Sequence, residues 1–510
     1  MFDDVNLLLP DVWAGHARRR PDRLAVVCGG TRRTWRDFNA NMNRLANALI
    51  AAGIGRGDRV AVLMSSSVEA VEAMFGVVKA GACLVPSSSL VTADQLAGLL
   101  ADAGARAIIA SEDLCHLVDP VRDRVPSLAL LVGVGFEGGG WRSLAAFTEG
   151  ASQEEPAVPL AMEDVFSIMY SSGTTGLPKG IVHTHKARQY FCVSNAVEMR
   201  YDETARSLVS TALYTAGTWL MVLPPLFCGG TLHILKKFDV EALLATIERE
   251  AITHAFVVPS QIAMILDGVR LEERDLSSLK VVLSAGSPLR PDLKRKVLSH
   301  LGHAFFELYG YTEGIATLLK PEDHATKADT VGMPIIGQSV RIVDLEDRPC
   351  RAGEPGEVVG HCPGLLREYH DRPAETAAAL WRDERGRSFV RSGDIGRMDE
   401  TGFLTIVDRK KDMIISGGLN IYPADMEPVV AGHPDVLDVA IVGVPHEKWG
   451  ETPVAIIVPR GTASEEDVLA WSNARLAKHQ RLFRVVTRAE LPRNALGKVL
   501  KRELREELAG

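Results

Sequence analysis

Residues 35–63 read WRDFNANMNRLANALIAAGIGRGDRVAVL. Phe38, Met42, Leu45 and Leu49 recur at helical spacing, which predicts an amphipathic helix over Trp35–Ala52. Gly53, Gly55 and Gly57 end it, and Arg59–Leu63 has the continuous apolar character of a buried strand. The pattern then repeats. Val68–Lys79 reads as a second amphipathic helix closed by Gly81, and Ala82–Val85 as the next strand. Ala107–Ala110, Leu128–Val132, Ala255–Val258 and Val281–Ser284 are further strand candidates, several beside helical stretches such as Val240–Glu250 and Pro291–Ser299. Strands alternating with helices at this spacing predict an α/β fold of helix-covered, largely parallel sheets. Gly337–Asp347 and Gly356–Val359 are short strands with turns, which predicts a small β-rich subdomain. A charged stretch at Asp408–Asp412 (DRKKD) marks the expected start of a smaller C-terminal α/β domain. That domain would hold helix Ala424–Ala431, strands Val436–Val444 and Pro453–Val458, helix Ser464–Leu476 and a basic tail.

The chain has 510 residues, enough for about three domains' worth of core. A content of 46% hydrophobic and 24% charged residues argues against disorder. The net charge of −8 argues against nucleic acid as the main partner. Seven cysteines without a CxxC pair argue against a metal site or disulfide framework and fit a reducing cytoplasm. Met1–Pro10 has no signal-peptide pattern, and no apolar stretch is long enough to cross a bilayer. The expectation is a cytoplasmic protein with no integral membrane segment.

Four segments carry polar groups that a core does not need. Tyr170–Gly180 (YSSGTTGLPKG) follows the apolar run Val165–Met169. Its glycines let the backbone close around an oxyanion, its hydroxyls donate, and Lys179 adds a cation. It is not a Walker loop, because Lys179 lies between Pro178 and Gly180. Tyr309–Gly314 (YGYTEG) offers aromatic faces for a base, a hydroxyl at Thr312 and a carboxylate at Glu313 suited to Mg²⁺. Ser392–Asp394 (SGD) places a carboxylate at an expected strand end, where it can accept from ribose hydroxyls. Pro492–Lys498 (PRNALGK) presents Lys498. Taken singly, these are also the marks of a flexible loop, a helix start, a turn and a surface charge. Their joint occurrence in this order points to nucleotide chemistry.

With RTWRDFNANMNRLANAL, GDRVAVL, RSGDIG, DRKKD and ISGGLNIYPADME, these segments resemble the adenylate-forming superfamily of acyl-CoA synthetases over nearly the whole length. The resemblance implies ATP, Mg²⁺ and coenzyme A as cofactor and co-substrates. It also implies two half-reactions: an acid and ATP give acyl-AMP and pyrophosphate, and a thiol then displaces AMP. By motif, Lys498 would stabilise the first transition state. Ser171, Ser172, Gly173, Thr174, Thr175, Gly176 and Lys179 would cradle the outer phosphates. Thr312 would bond the α-phosphate and Glu313 would hold the metal. Gly286, Ser287, Pro288 and Tyr311 would enclose adenine, and Asp394 with Arg409 would take the ribose. Residues 1–408 would form the N-terminal adenylate-forming domain, 409–412 the hinge with Lys411 at its centre, and 413–510 the mobile C-terminal domain. Gly417 and Gly418 would approach the CoA tunnel.

The acyl pocket would be lined by Tyr214, Thr215, Gly217, Ala285, Gly286, Tyr309 and Gly310. Many relatives carry PLFH where this chain has Ala212–Thr215, so the familiar gate histidine is replaced by Thr215. Residues 208–223 contain no Lys, Arg or Asp. That leaves a dicarboxylate without a counter-charge there, and an amino acid without its usual aspartate. The expectation is a monocarboxylic acid (medium-chain, aromatic or alicyclic) joined to CoA. The alternative is an enzyme that loads the phosphopantetheine of a separate carrier protein, and a third reading is a non-catalytic nucleotide-binding homologue. Lys498 is also an expected target of a regulatory lysine acetyltransferase, since acetylation would remove the charge the chemistry needs.

Overall fold

Helix Trp35–Ala51 begins at Thr34, whose hydroxyl accepts the Asp37 N–H, and strand Arg59–Leu63 follows it as expected. Phe38, Met42, Leu45 and Leu49 are all buried, each contributing roughly 1.5–3 kcal/mol of transfer free energy. The computed structural model describes residues 7–171, 179–417, 419–493 and 499–509. They divide into two compact units. The first comprises Met1–Thr326, Pro334–Ser339 and His361–Leu380, and the second Lys327–Met333, Val340–Gly360 and Trp381–Gly510.

The first unit is built on two sheets. One runs in the order Glu368–Tyr369, Lys179–Thr184, Val165–Ser171, Cys83–Pro86, Arg59–Leu63, Ala105–Ser111, Leu130–Val134 and Arg142–Ser143. Its centre is parallel, and only Lys179–Thr184 and Glu368–Tyr369 run antiparallel to their neighbours. The other runs through Ile315–Leu319, Phe305–Tyr311, Val281–Ala285, His254–Phe256, Arg206–Val209, Thr231–Ile234, Leu24–Cys28 and Thr31–Thr34. Its interior is parallel as well.

Both sheets are buried on two faces, so their strands read as continuous apolar runs rather than alternating ones. Val60 and Val62 join one core cluster while Ala61 and Leu63 join another. Val281 and Leu283 similarly face the first cluster and Val282 a third. Two strands lie slightly off the expected positions. The strand expected at 128–132 is Leu130–Val134. The run expected at 255–258 gives strand His254–Phe256, because Pro259 opens a helix and the Gln261 side chain accepts the Val258 N–H.

The second unit contains a small sheet of Ser339–Val343, Gly356–His361, Ser388–Met398, Leu380–Arg382 and Leu404–Arg409, in which Gly356–His361 and Leu404–Arg409 both run antiparallel to Ser388–Met398. This is the expected β-rich subdomain. A further sheet of Leu419–Ile421, Ile414–Ser416, Gly450–Pro459, Val436–His446 and Arg484–Thr487 carries helices Pro423–Ala431, Glu465–Asn473 and Lys501–Ala509. Ile441, Ala455 and Ile457 pack into one cluster, and Val442, Val454 and Ile456 into another, so this sheet too is covered on both faces. Helix Glu465–Asn473 stops short of Leu476 because the Asn473 side chain turns to bond both the N–H and the carbonyl of Leu482. The tail expected to be basic ends in helix Lys501–Ala509, where Lys501, Arg502 and Arg505 are balanced by Glu503, Glu506 and Glu507, and which is anchored by buried Leu504.

No helix among the described residues is long and apolar enough to cross a membrane.

Candidate active site

In a parallel sheet, all carboxyl ends lie on one edge, and the loops leaving that edge meet there. Strands Arg206–Val209, His254–Phe256, Val281–Ala285 and Phe305–Tyr311 are consecutive parallel neighbours. Their carboxyl ends deliver Tyr214, Thr215 and Gly217, then Val258–Gln261, then Gly286, Ser287 and Pro288, then Thr312 and Glu313. Segments far apart in sequence thus converge on one edge of one sheet. Gly286 has φ +96°, a left-handed value suited to glycine, and a Cβ there would meet nothing within 4 Å. The space beside it is open to a flat ring. Tyr309 and Tyr311 stand with ring centroids 6.4 Å apart at the end of their strand.

Tyr170–Gly180 leaves the other sheet in the same way. Strand Val165–Ser171 ends at the run, and Lys179 starts the antiparallel return strand opposite Ser171. Ser172, Gly173, Thr174, Thr175 and Gly176 lie outside the described residues. Lys179 is described: its Nζ pairs with Glu375 Oε2 at 2.8 Å and sits 5.1 Å from the Tyr369 ring centroid. The Tyr369 hydroxyl donates to Glu313 Oε1 at 2.7 Å. Burial, then the Glu313 charge, holds the Tyr369 phenol well above its usual pKa, so it stays a donor. Beneath Thr312, His183 Nε2 lies 2.8 Å from the Thr312 carbonyl, and Arg188 Nη2 lies 3.1 Å from His183 Nδ1. Because Arg188 can only donate, His183 is the neutral tautomer that donates through Nε2. Complete burial, with the Arg188 charge beside it, pushes its pKa well down. Gly314, next in the chain, has φ +117°, and a Cβ there would run into the Gly364 carbonyl.

Tyr369, Glu375, His183 and Arg188 were not singled out from the sequence. Tyr369, Glu375 and His183 each act on a residue that was, through a contact between distant segments, while Arg188 acts at one remove, through His183 five residues before it. Nothing local in HTHKAR or YHDRPAET announces the contacts to Thr312, Glu313 and Lys179.

The fit of Glu313 to a metal ion can be judged from its bonding. Oε1 is held by Tyr369, and Oε2 has no hydrogen-bond partner among the described residues. No group of three or more metal-binding side chains occurs among the described residues. One oriented carboxylate, with phosphate oxygens and water completing the shell, is what Mg²⁺ takes from a nucleotide site. The residues fit the ion.

In the second unit, Asp394 is 4% exposed and its Oδ1 accepts from Arg409 Nε at 2.8 Å. The two are direct cross-strand partners. Asp394 is therefore not at a strand end, as expected from the sequence, but within strand Ser388–Met398. A register shift between Ile395 and Gly396 accompanies it. The turn after Arg409 is fastened on both sides of Lys411. Lys410 donates its N–H to the Gly393 carbonyl and pairs with Glu357, and Asp412 lies 3.4 Å from Arg505. Lys411 is exposed and makes no hydrogen bond among the described residues. Gly417 has φ +58°, and its N–H donates to the Trp449 carbonyl at 2.8 Å. Gly418 and Lys498 lie outside the described residues.

The segment expected to wall the acyl pocket is internally bonded. Thr215 Oγ1 lies 2.7 Å from Thr218 Oγ1 and 3.0 Å from the Ala212 carbonyl. Trp219 Nε1 donates to the Leu213 carbonyl at 2.7 Å. Gly217 faces Phe256, whose ring would lie 3.2 Å from an added Cβ. Ala285 is 7% exposed at the end of its strand, and Gly310 lies in the strand that carries Tyr309 and Tyr311.

Residues 13–370 match the family model described as AMP-binding enzyme, and residues 425–498 match the AMP-binding enzyme C-terminal domain. The chain belongs to the AMP-binding enzymes. Among its relatives, feruloyl-CoA synthase from Amycolatopsis sp is 36% identical over 96% of both chains. The long-chain-fatty-acid–CoA ligase FadD13 of Mycobacterium tuberculosis is 34% identical over 93% of both. The solved structure of ATP-bound MatB from Rhodopseudomonas palustris superimposes with a TM-score of 0.88 at 27% identity, covering 98% of this chain and 99% of that one. This AMP-binding enzyme is accordingly a ligase of the AMP-forming acyl-CoA synthetase class, using ATP, Mg²⁺ and coenzyme A.

Proposed function

We propose that the protein is an acid–CoA ligase that converts a monocarboxylic acid (medium-chain, aromatic or alicyclic) to its CoA thioester through an acyl-adenylate. The observation that most supports this is the pairing of Lys179 and Glu313 through one tyrosine: a cation and a metal-type carboxylate are fixed together beside Thr312.

In the first half-reaction an oxygen of the acid attacks the α-phosphorus of ATP, and the bond to the β-phosphate breaks to release pyrophosphate. Two anions must meet. Bound Mg²⁺ would offset phosphate charge, held by Glu313. Lys179 exchanges Glu375 for an outer phosphate oxygen, with Ser171, Ser172, Gly173, Thr174, Thr175 and Gly176 supplying further donors. Thr312 donates to the α-phosphate from a backbone fixed by His183. Lys498 bridges the attacking carboxylate and the α-phosphate, stabilising charge that develops only in the transition state. Gly286, Ser287, Pro288 and Tyr311 enclose adenine, and Asp394, oriented by Arg409, accepts from the ribose hydroxyls.

In the second half-reaction the deprotonated CoA thiol attacks the acyl carbon and expels AMP. Residues 1–408 hold ATP and the acid, and 413–510, which bring Lys498 to the first half-reaction, turn about 409–412 between the two. Gly417 and Gly418 leave room for the pantetheine arm. Acetylation of Lys498 by a lysine acetyltransferase would silence the first half-reaction alone. Comparing activity before and after deacetylation, with occupancy read by mass, tests that point; unchanged activity at full acetylation refutes it.

Pyrophosphate release across aliphatic, aromatic and alicyclic acids tests the whole reading. AMP release must follow CoA. If AMP follows a phosphopantetheinylated carrier protein instead, the acceptor is wrong.

Tyr369→Phe removes one hydroxyl and leaves the ring under Lys179. The expected result is a rise of ~10-fold in KM for ATP at limiting Mg²⁺, shrinking at saturating Mg²⁺, because the lost bond to a charged group orients Glu313. Direct titration of ATP binding at several Mg²⁺ concentrations checks it. An effect independent of Mg²⁺ would contradict the role.

A further inference from the structure

Arg188 is a buried cation that meets no carboxylate among the described residues. It is 4% exposed and stands in the first turn of helix His185–Glu198, where the helix dipole disfavours positive charge. Its Nη2 contacts three neutral acceptors: Ser167 Oγ at 3.3 Å, Met169 Sδ at 2.9 Å and His183 Nδ1 at 3.1 Å. Its Nε is buried without an acceptor among the described residues. The guanidinium lies 4.7 Å from the Trp219 ring centroid and 5.7 Å from that of Phe191.

The fold treats its other buried cations differently. Lys79 Nζ meets Glu155 at 2.6 Å with Asn39 and Asn43 completing its bonds, and Lys294 meets Glu307 at 3.0 Å. Burial lowers the Arg188 pKa to about 9, which leaves it charged at neutral pH. Taking a charge out of water is costly, and a hydrophobic residue of similar volume commonly serves stability as well or better. A lone buried guanidinium is therefore poorly explained by folding.

Its position indicates the missing partner. The Trp219 ring beneath it is tied through its N–H to Leu213, within the segment expected to line the acyl pocket. His183, its other neighbour, supports Thr312. We propose that Arg188 is the specificity cation of the acyl pocket, its unpaired Nε edge taking an acceptor oxygen that the acid carries away from its reacting carboxyl. The inference rests on the ligase reading above. It also revises the expectation drawn from residues 208–223: the counter-charge for such a group comes from a helix outside that segment.

Two matched pairs of acids test it, in pyrophosphate release and in calorimetric binding to the resting enzyme. Hexanoate against adipate adds a second carboxylate; 3-phenylpropanoate against 3-(4-hydroxyphenyl)propanoate adds a neutral oxygen. In at least one pair the oxygen-bearing acid is expected to lead by ~10-fold or more in kcat/KM and in affinity, the size of a charge-assisted hydrogen bond. The leading pair tells anion from neutral acceptor. In Arg188→Met the lead within the pair should vanish, whatever change is common to both acids through His183 and Thr312, and the melting temperature should hold or rise. Arg188→Lys, which keeps the charge without the fork, should keep part of the lead. The proposal is overturned if neither pair shows a preference in the unmodified enzyme. It is equally overturned if Arg188→Met lowers all acids alike together with the melting temperature, which marks a structural role. A binding preference without pyrophosphate release from any acid would fault the ligase reading and leave Arg188 supported.

Discussion

Replacing Lys498 by alanine is expected to lower acid-dependent ATP–pyrophosphate exchange by ~10³-fold while leaving CoA attack on supplied acyl-AMP largely intact. The magnitude is that of removing one preorganised group that meets transition-state charge in a water-poor site. The asymmetry is the informative part. In the first half-reaction a carboxylate approaches a phosphate that is already anionic, and a cation at their junction offsets repulsion that grows along the coordinate. In the second, a thiolate meets an acyl carbon whose leaving group departs with its charge already on phosphate. A lysine at the carboxylate–phosphate junction has little left to stabilise there. Equal losses in both half-reactions would show that Lys498 supports the fold or both steps, and the proposed division of labour would fail.

The second large effect is expected from Lys411→Pro. The turn at 409–412 is fastened on either side, by Lys410 to Glu357 and by Asp412 to Arg505, while Lys411 itself is exposed. A rotation centred on Lys411 must break the two bonds that span it, from the Asp412 and Met413 N–H groups to the Arg409 carbonyl, while its own side chain is exposed. Proline fixes φ near −65° and restricts the residue before it. Adenylation, or thioester formation, should continue in the orientation that proline permits, and the other half-reaction should fall by ~10²-fold or more. Loss of thioester formation with retained pyrophosphate exchange is the expected pattern. Both half-reactions measured at unmodified rates would remove 409–412 as the hinge.

The fold was legible in the sequence because its sheets are covered on both faces. Arg59–Leu63 sends Val60 and Val62 to one core and Ala61 and Leu63 to another, so the strand announces itself as an unbroken apolar run. Glycines and prolines punctuate such runs, and errors arose where they did: Pro259 turned the end of an expected strand into the start of a helix. Asp394 was legible as a carboxylate but not as a mid-strand residue, since its placement depends on pairing with Leu404–Arg409. The candidate site could be proposed from the sequence only where its residues sit in compact runs. Tyr369 and Glu375 bear on Glu313 and Lys179 through contacts between remote segments, and no local pattern encodes such contacts. Arg188 was invisible for a different reason. An arginine in the first turn of an amphipathic helix reads as a solvated charge, and only the packing of Trp219, Ser167 and Met169 around it shows that it is buried.

The measurement that bears most directly on the central claim is ATP–pyrophosphate exchange without coenzyme A, run across a panel of carboxylic acids with and without added acid. If acids are activated as adenylates before any thiol is engaged, at least one acid must stimulate exchange in the absence of CoA, and AMP must appear only when CoA is supplied. Exchange that no acid stimulates, or AMP release that requires acid and CoA together with no exchange beforehand, would contradict the account.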